Sequence, residues 1–263
     1  MTDLNGTGKT NEDNASSIAL APPSFSPLYR QIKGLLLQKL EAGQWQPGEA
    51  IPSEMDLSQQ LRVSQGTVRK AIDELAAENL LIRKQGKGTF VATHSERHVQ
   101  YRFLRLRPDA GGLDEEGPAQ RHILFCKRIR ASAELGAQIG LRSGDAIIHI
   151  RRTLSMQSTP AVLEDIWLPG HAFKGITAEQ ITHYQGPTYA LLEKEFGVRM
   201  VRAVEKLKAI LPPDAEAAQL LHVDSTTPLL SVERVTYTYN DTPMELRRGL
   251  YRTDTHHYLN ELN

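Results

Sequence analysis

Cysteine is almost missing from this 263-residue chain, which contains one, Cys126. A single thiol cannot form a disulfide within the chain, and it cannot supply the cysteine ligands of a structural zinc site. The adjacent His256 and His257 lie near the chain end without a third spaced ligand, so we interpret them as surface groups. The sequence therefore predicts neither a metal site nor a cofactor.

Long apolar stretches are absent as well. No run approaches the roughly 20 residues that a membrane-spanning helix needs. The N-terminus shows no charged start followed by an apolar core. These absences predict a cytoplasmic protein, and the length of the chain leaves room for two domains of ordinary size.

Net charge is also lacking, because 31 Lys and Arg residues balance 31 Asp and Glu residues. A formal charge of zero argues, taken alone, against a nucleic-acid binder. The charge is unevenly distributed, however. Between Arg62 and Gly88 six basic residues stand against three acidic ones, a local charge of +3. Such an excess favours moderate, salt-dependent affinity for a polyanion.

The most informative stretch of the chain, residues 51–75, predicts two short helices joined by a tight turn. Ser53 is typical of a helix N-cap, and Leu57 and Leu61 give the first helix an apolar face. Ser64 then caps a second helix, whose apolar residues recur at i, i+3, i+4 and i+7: Val68, Ala71, Ile72 and Leu75. Two such helices form a helix-turn-helix.

The flanking residues extend this motif to a winged helix over residues 27–92. Upstream, an amphipathic helix is predicted from apolar residues at helical spacing: Leu28, Ile32, Leu35, Leu36 and Leu40. Downstream, residues 80–91 predict a strand, a glycine-containing turn and a second strand, with Arg83, Lys84 and Lys87 near the tip. A basic hairpin tip suits a phosphate or the minor groove of DNA.

These motifs, in this order and spacing, resemble the DNA-binding domain of GntR-family bacterial transcription regulators. They are PLYRQI at 27–32, PG at 47–48, IPSE at 51–54, VSQGTVRKAI at 63–72 and QGKGTFV at 85–91. The chain departs from the family pattern at Gln65, where a basic residue is common, and at Met55, where an arginine or polar residue is frequent. Since glutamine can pair with adenine in the major groove, this departure concerns the operator preference and not DNA binding itself.

The predicted DNA-contacting residues lie at the starts of the two helices and on the wing. They are Ser53, Glu54, Ser64, Gln65, Gly66, Thr67, Arg69, Lys70, Arg83, Gly86, Lys87, Gly88 and Thr89. The alternative reading of Arg69 and Lys70 as merely a solvated helix face is disfavoured by the motif and the basic wing around them.

The rest of the chain is predicted as a tail, a linker and a second domain. Residues 1–26 are polar and read as disordered, and residues 93–118 as a linker with a first strand. Residues 119–263 alternate strands with short helices in successive hairpins, which predicts a mostly antiparallel α+β fold. Strands are expected at 123–129, 146–154, 161–168, 200–210, 229–239 and 244–251, and helices at 133–139, 178–183, 188–196 and 214–221.

A weak internal repeat is visible in this second domain. A helix, a strand ending in arginine and a Thr-Pro pair occupy residues 134–160, and the same order recurs at 216–243. Two similar halves could face each other across a ligand-binding cleft. Chance similarity between two helix-hairpin units is the alternative.

The second domain also resembles the UTRA domain of the HutC-type branch of the GntR family, over roughly residues 122–257. The matching features are Arg152, Pro160, Glu164, WLP at 167–169, YALLE at 189–193, PME at 243–245 and YRTD at 251–254. The resemblance implies a fold similar to chorismate lyase that binds a small-molecule effector. It places five residues in the effector pocket: Arg152, Glu164, Tyr189, Glu245 and Tyr251.

Each of these residues also has a purely structural interpretation, and Arg152 could simply pair with Glu164 across a hairpin. Arg252 and Asp254 look like an internal structural pair. Relatives that sense sugar phosphates tend to carry a second arginine where this chain has Leu154, and a serine where it has Pro187. These differences disfavour a phosphosugar and leave a carboxylate or another small polar metabolite open.

Three functional classes are compatible with these features. A ligand-responsive transcription regulator, more specifically a repressor and not an enzyme, is favoured over a chorismate-lyase-type enzyme fused to a DNA-binding domain, and over a DNA-binding protein without an effector. The regulator is expected to bind an inverted repeat in double-stranded operator DNA as a homodimer. The linker, residues 93–118, is expected to transmit effector binding to the winged helices.

Overall fold

The computed structural model describes residues 26–93, 105–110, 119–156, 158–184 and 186–260. The predicted N-terminal tail and most of the predicted linker lie outside these ranges, so their interpretation stays a prediction. Within the described residues the chain forms two units that contact each other. No described helix has the length and apolar character needed to cross a membrane.

The first unit is a three-helix winged helix. It contains α1 (Leu28–Glu41), α2 (Glu54–Leu61), α3 (Gln65–Ala77), β1 (Leu81–Lys84) and β2 (Gly88–Val91). Arg62 makes the turn between α2 and α3 in the left-handed region, with φ of 54°. One apolar core holds the helices against the hairpin, and its buried members include Leu36, Leu57, Val68, Ile72, Leu75 and Leu81.

The second unit is built on a six-stranded antiparallel sheet with the strand order β4-β5-β6-β9-β8-β7. The strands are β4 (Gln120–Arg130), β5 (Ala146–Met156), β6 (Thr159–Pro169), β7 (Arg202–Ile210), β8 (Leu229–Tyr237) and β9 (Pro243–Arg252). A separate two-stranded sheet pairs β3 (Leu106–Pro108) with β10 (His256–Tyr258).

Four short helices cover the two faces of the large sheet. They are α4 (Ala133–Gln138), α5 (Ala178–His183), α6 (Thr188–Phe196) and α7 (Ala215–Leu221). Successive strand residues point to opposite faces. Ile148 and Ile150 pack in one core with residues of α5 and α6, whereas Ile147 packs in a separate core close to α4. The sheet therefore lies between two helical layers.

The internal repeat predicted from sequence corresponds to two segments of equal element order within the second unit. The first repeat is α4-β5-β6 and the second repeat is α7-β8-β9. They do not face each other across a cleft, as the sequence suggested, because β6 pairs directly with β9 and joins both repeats into one sheet. Strand pairing satisfies backbone groups that two separate halves would leave exposed at their edges.

The predicted secondary structure is close to the observed one, and helices α5 and α6 have the predicted bounds. The hairpin strands β5, β6 and β9 are longer than expected. Their extra residues lie at the strand ends, where a local sequence pattern is least informative because tertiary pairing decides how far a ladder extends.

The two units are joined by specific contacts in addition to the linker. The buried Arg199 donates from Nη2 to the carbonyl of Asn79 at 3.0 Å and from Nη1 to that of Leu80 at 3.2 Å, in the segment between α3 and β1. Thr93 Oγ1 donates to Glu193 Oε1 at 2.7 Å. A cavity of about 580 Å³ lies at this junction, between α1, α3 and the β8–β9 turn.

Candidate functional site

The predicted DNA-contacting edge begins with two well-formed helix starts. Ser53 caps α2 in a capping box with Asp56, and Ser64 Oγ accepts from the backbone N–H of Thr67 at 3.1 Å. These caps fix where α3 begins. They leave Gln65 and Gly66 exposed in its first turn, with Arg69 and Lys70 exposed in the next.

Glu54 organises the basic residues of this edge. Its carboxylate lies 2.9 Å from Arg69 Nε and 2.9 Å from Arg83 Nη2, so it ties α2 to α3 and to β1. Gln65 Nε2 reaches the same carboxylate at 3.4 Å. Although burial raises it, the pKa of Glu54 is held below its ordinary value by hydrogen bonds from Arg69 and Arg83. We therefore assign Glu54 the role of orienting two arginines.

The tip of the wing exposes a lysine on a glycine turn. Gly86 and Gly88 have φ values of 70° and 106°, in the left-handed region that glycine adopts most readily. Lys87, between them, is exposed. Lys70 instead lies over the Tyr29 ring, with Nζ 4.0 Å from the centroid, so its charge is held against α1.

The predicted effector residues come together in a buried cluster of charged groups beneath α6. Glu164 of β6 lies 2.7 Å from Arg152 Nη2 of β5 and 3.0 Å from Arg247 Nη1 of β9. Glu245 accepts from Tyr189 Oη at 2.7 Å and from Arg247 Nε and Nη2, both at 3.0 Å. Arg247 thus links the two glutamates.

Burial and charge in this network shift the pKa values of Glu164 and Tyr251. Burial raises the pKa of Glu164, but Arg247 and Arg152 outweigh it and hold that pKa at about 2. Burial, followed by the negative charge of Glu164, raises the pKa of Tyr251, whose hydroxyl lies 3.5 Å from the carboxylate. At neutral pH Glu164 is therefore an ionised carboxylate and Tyr251 a neutral phenol.

The structure confirms the Arg152–Glu164 pair that the sequence suggested as a structural alternative. Arg152 also reaches beyond it, because Nη1 donates to Thr188 Oγ1 at 2.8 Å, at the start of α6. The N-cap of α6 is Pro187, which offers no capping side chain. The positive end of the helix dipole thus faces an arginine, an arrangement that favours an anion.

Sequence reasoning missed several members of the cluster, although two carried a usable signal. Arg247 lies between Glu245 and Tyr251 with strand alternation, so it shares their face. Arg234 ends the repeated strand that corresponds to the one ending in Arg152. It is buried and donates to Glu205 Oε1 at 2.5 Å. Thr188 and Thr236 are members because α6 packs on the sheet, where they contact Arg152 and Tyr189 respectively, and no local sequence pattern indicates them.

Two further predictions concern residues outside this cluster. Arg252 Nε donates to Asp254 Oδ1 at 3.1 Å, which confirms the predicted structural pair. His257 lies 2.8 Å from Asp109 and is half exposed. The described residues contain no group of three or more His, Cys, Asp or Glu side chains arranged for a metal ion.

Comparison with known families gives two matches. The family described as "UTRA domain" matches residues 118–257, and "Bacterial regulatory proteins, gntR family" matches residues 28–91. These are the two regions in which the buried cluster and the winged helix lie.

Several characterised proteins are similar along most of their length. The chain is 27% identical over 233 residues to the mannosyl-D-glycerate transport/metabolism system repressor MngR of Escherichia coli, covering 88% of this chain and 94% of that one. It is 29% identical to the transcriptional repressor NagR of Bacillus subtilis, covering 90% and 96%. With the histidine utilization repressor of Pseudomonas putida it shares 26% identity, covering 81% and 83%.

Two solved structures are also similar to this chain. The ligand-binding domain of a GntR-family transcriptional regulator from Bordetella bronchiseptica is 52% identical with a TM-score of 0.60, covering 63% of this chain and all of that one. PhnF from Mycobacterium smegmatis is 25% identical with a TM-score of 0.52, covering 90% and 99%.

Proposed function

Because the chain belongs to the GntR family and carries a UTRA domain, we propose that it is a repressor released from its operator by a small anionic metabolite. The winged helix supplies the DNA-binding half and the buried cluster beneath α6 the effector-binding half. Two of the similar repressors are named for mannosyl-D-glycerate and histidine, which both carry a carboxylate. The role of this chain is binding without chemical turnover.

The observation that carries this proposal is the position of α6 between the two halves. Its first residues, Thr188 and Tyr189, contact the charged cluster. Further along the helix, Glu193 accepts from Thr93 at the end of the winged helix. Just beyond the helix, Arg199 holds the segment between α3 and β1. A shift of α6 on ligand binding would therefore act on the end of the winged helix and on the segment that follows α3.

The contacts of α6 and Arg199 with the winged helix add a second route, besides the linker, by which effector binding can reach the DNA-binding half. A ligand changes DNA affinity only if it binds the two domain arrangements differently, and typical couplings are about 1–3 kcal/mol. The cavity at the junction leaves room for the winged helix to reorient. We propose that Arg152, Glu164, Tyr189, Glu245 and Tyr251 hold the effector and that α6 transmits its binding.

On the DNA side, α3 would lie in the major groove, where Gln65 reads a base and Arg69 positions the helix. Lys87 of the wing would contact the phosphate backbone of the DNA. One winged helix contacts few base pairs, so a homodimer on an inverted repeat is needed for useful specificity. Sedimentation of the protein at micromolar concentration tests this directly. A monomer that binds a single half-site as tightly as the full repeat would exclude the dimer.

The proposed function is tested by a competition experiment on operator DNA selected in vitro from random sequences. The protein is titrated with carboxylate and phosphate metabolites while operator binding is followed by fluorescence anisotropy. At least one metabolite should release the DNA and also raise the melting temperature of the free protein. Failure to select any DNA would exclude a sequence-specific regulator, and consumption of a metabolite would indicate an enzyme.

A further inference from the structure

Arg121 is a half-buried cation that the effector residues inferred from sequence do not include. It lies near the start of β4, directly opposite Leu154 of β5. Directly opposed residues of antiparallel strands share one face of the sheet. Leu154 is two residues from Arg152, so Arg121 lies on the side of the sheet that carries the charged cluster.

The guanidinium of Arg121 is only half satisfied. Nη2 donates to the carbonyl of Tyr184, the residue that ends α5. Nη1 is buried and has no hydrogen-bond partner in the described part of the chain. Burial, followed by the charge of Arg152, lowers the pKa of this arginine. A desolvated cation beside a second cation is costly unless an anion joins them.

The other arginines of the cluster differ from Arg121 in this respect. Each of them is paired with a carboxylate: Arg152 with Glu164, Arg234 with Glu205, and Arg247 with both Glu164 and Glu245. Among the described residues of the cluster, four arginines thus face three glutamates. One positive charge is uncompensated, and it lies on the side where Arg121 approaches Arg152.

A third positive feature lies at the same place. Arg152 Nη1 contacts Thr188 Oγ1 in the first turn of α6, and Pro187 provides no side-chain cap for that turn. The amide groups of a helix start carry partial positive charge and bind oxyanions when they are available. Arg121, Arg152 and the α6 start therefore converge from three elements: β4, β5 and α6.

We propose that Arg121 and Arg152 together clamp an oxyanion group of the effector, a phosphate or a carboxylate, at the start of α6. This inference rests on the proposed effector function and deepens it. It also changes the expectation drawn from Leu154. The second arginine that this position lacks is supplied across the strand pair by Arg121, so the absence of arginine at 154 no longer disfavours a phosphorylated effector.

The test uses the full-length protein with inorganic phosphate and acetate as probes, at constant ionic strength set with sodium chloride. Arg121→Gln is compared with Arg128→Gln, which removes the same charge from an exposed position on the same strand. Phosphate or acetate should bind the wild type and Arg128→Gln saturably in calorimetry. Binding to Arg121→Gln should weaken at least about tenfold, because charge-assisted hydrogen bonds are lost.

The two probes distinguish the sources of the oxyanion. Tighter binding of phosphate identifies a phosphorylated effector, and tighter binding of acetate identifies a carboxylate. Without an anion, Arg121→Gln should melt no lower than the wild type, because it removes a half-buried charge that has no carboxylate partner among the described residues. Lower melting would show that Arg121 is structural. Equal anion affinity of both variants, or no saturable binding of either probe to the wild type, would overturn the proposal.

Operator binding separates this proposal from the proposed function. Unliganded Arg121→Gln should bind operator DNA as the wild type does, since the hydrogen bond of Arg121 is to Tyr184, within the second unit. If anion binding depends on Arg121 while no DNA binding is found, the oxyanion site stands and the regulator function fails.

Discussion

The two halves of the molecule use the same ion pair, arginine with glutamate, in opposite settings. In the winged helix, Glu54 is 14% exposed while its partners Arg69 and Arg83 are 56% and 44% exposed. In the effector half, Glu164 is fully buried, and Arg152 and Arg247 are 4% and 8% exposed. The difference lies in how much water reaches the arginines.

That difference decides what each pair can do. Solvent screens the pairs of Glu54, so they add little stability, but they hold two arginines in place on the predicted DNA-contacting edge. The pairs of Glu164 have no such screening, so removing one partner leaves an unpaired charge buried away from water. An exposed pair can therefore be exchanged for a phosphate contact at little cost, whereas any change in the buried network must keep its charges paired.

The largest expected effect comes from removing the central carboxylate of the buried network. Glu164→Gln keeps the shape but leaves Arg152 without a counter-charge. We expect a loss of about 3–5 kcal/mol in the free energy of unfolding, measured by urea denaturation at pH 7.

The matched control for this change is Glu54→Gln, which alters the exposed network. Solvent screening limits its expected cost to about 1 kcal/mol or less. Equal losses in the two variants would remove the contrast between the halves.

The buried network also predicts an acid sensitivity. The folded-state pKa of Glu164, about 2, is depressed from an ordinary value of 4.5. Its stabilisation is therefore fully present above pH 4.5 and is lost as the pH falls toward 2. Melting temperatures measured between pH 6 and pH 3 should fall less steeply for Glu164→Gln than for the wild type. Parallel curves would show that Glu164 titrates normally.

A smaller effect is expected at the contact between the halves. Arg199→Ala removes two hydrogen bonds to the carbonyls of Asn79 and Leu80. Because water from the adjoining cavity can replace them, we expect a total loss of about 1.5–3 kcal/mol. We expect calorimetry to show two unfolding transitions, one for each half, that overlap less in this variant than in the wild type. Arg202→Ala, whose ion pair with Asp241 is exposed, is the control and should leave the profile unchanged.

The smallest changes in stability, with clear effects on binding, are expected on the DNA-contacting edge. Arg69→Ala and Lys87→Ala should weaken operator binding, and loss of a phosphate contact at Lys87 should reduce the salt slope by about 1. Gln65→Ala should relax preference at one base pair by about 1–3 kcal/mol. The exposed Lys174→Ala in the other half is a charge-matched control. Operator affinity unchanged in all three edge variants would contradict the assumed docking.

The same contrast explains what the sequence could predict. The winged helix follows from local signals, since Ser53 and Ser64 cap their helices and the glycines at 86 and 88 make the wing turn. Local sequence signals also predicted the bounds of α6. The buried network depends on how strands pair, and only alternation beside Glu245 indicated Arg247. Arg121 and Arg199 carry no periodic signal, because their partners are backbone carbonyls distant in sequence.

We propose that ligand binding at Arg152 is transmitted to the winged helix. The most direct measurement is the release of labelled operator DNA by an anionic metabolite, compared between the wild type and Arg152→Ala. Glu164 keeps Arg247 as a partner in this variant, which favours folding. We expect Arg152→Ala to bind the operator with wild-type affinity and to stay bound when the metabolite is added. Release at the same metabolite concentration as the wild type would show that Arg152 is a structural residue and that the effector does not act through it.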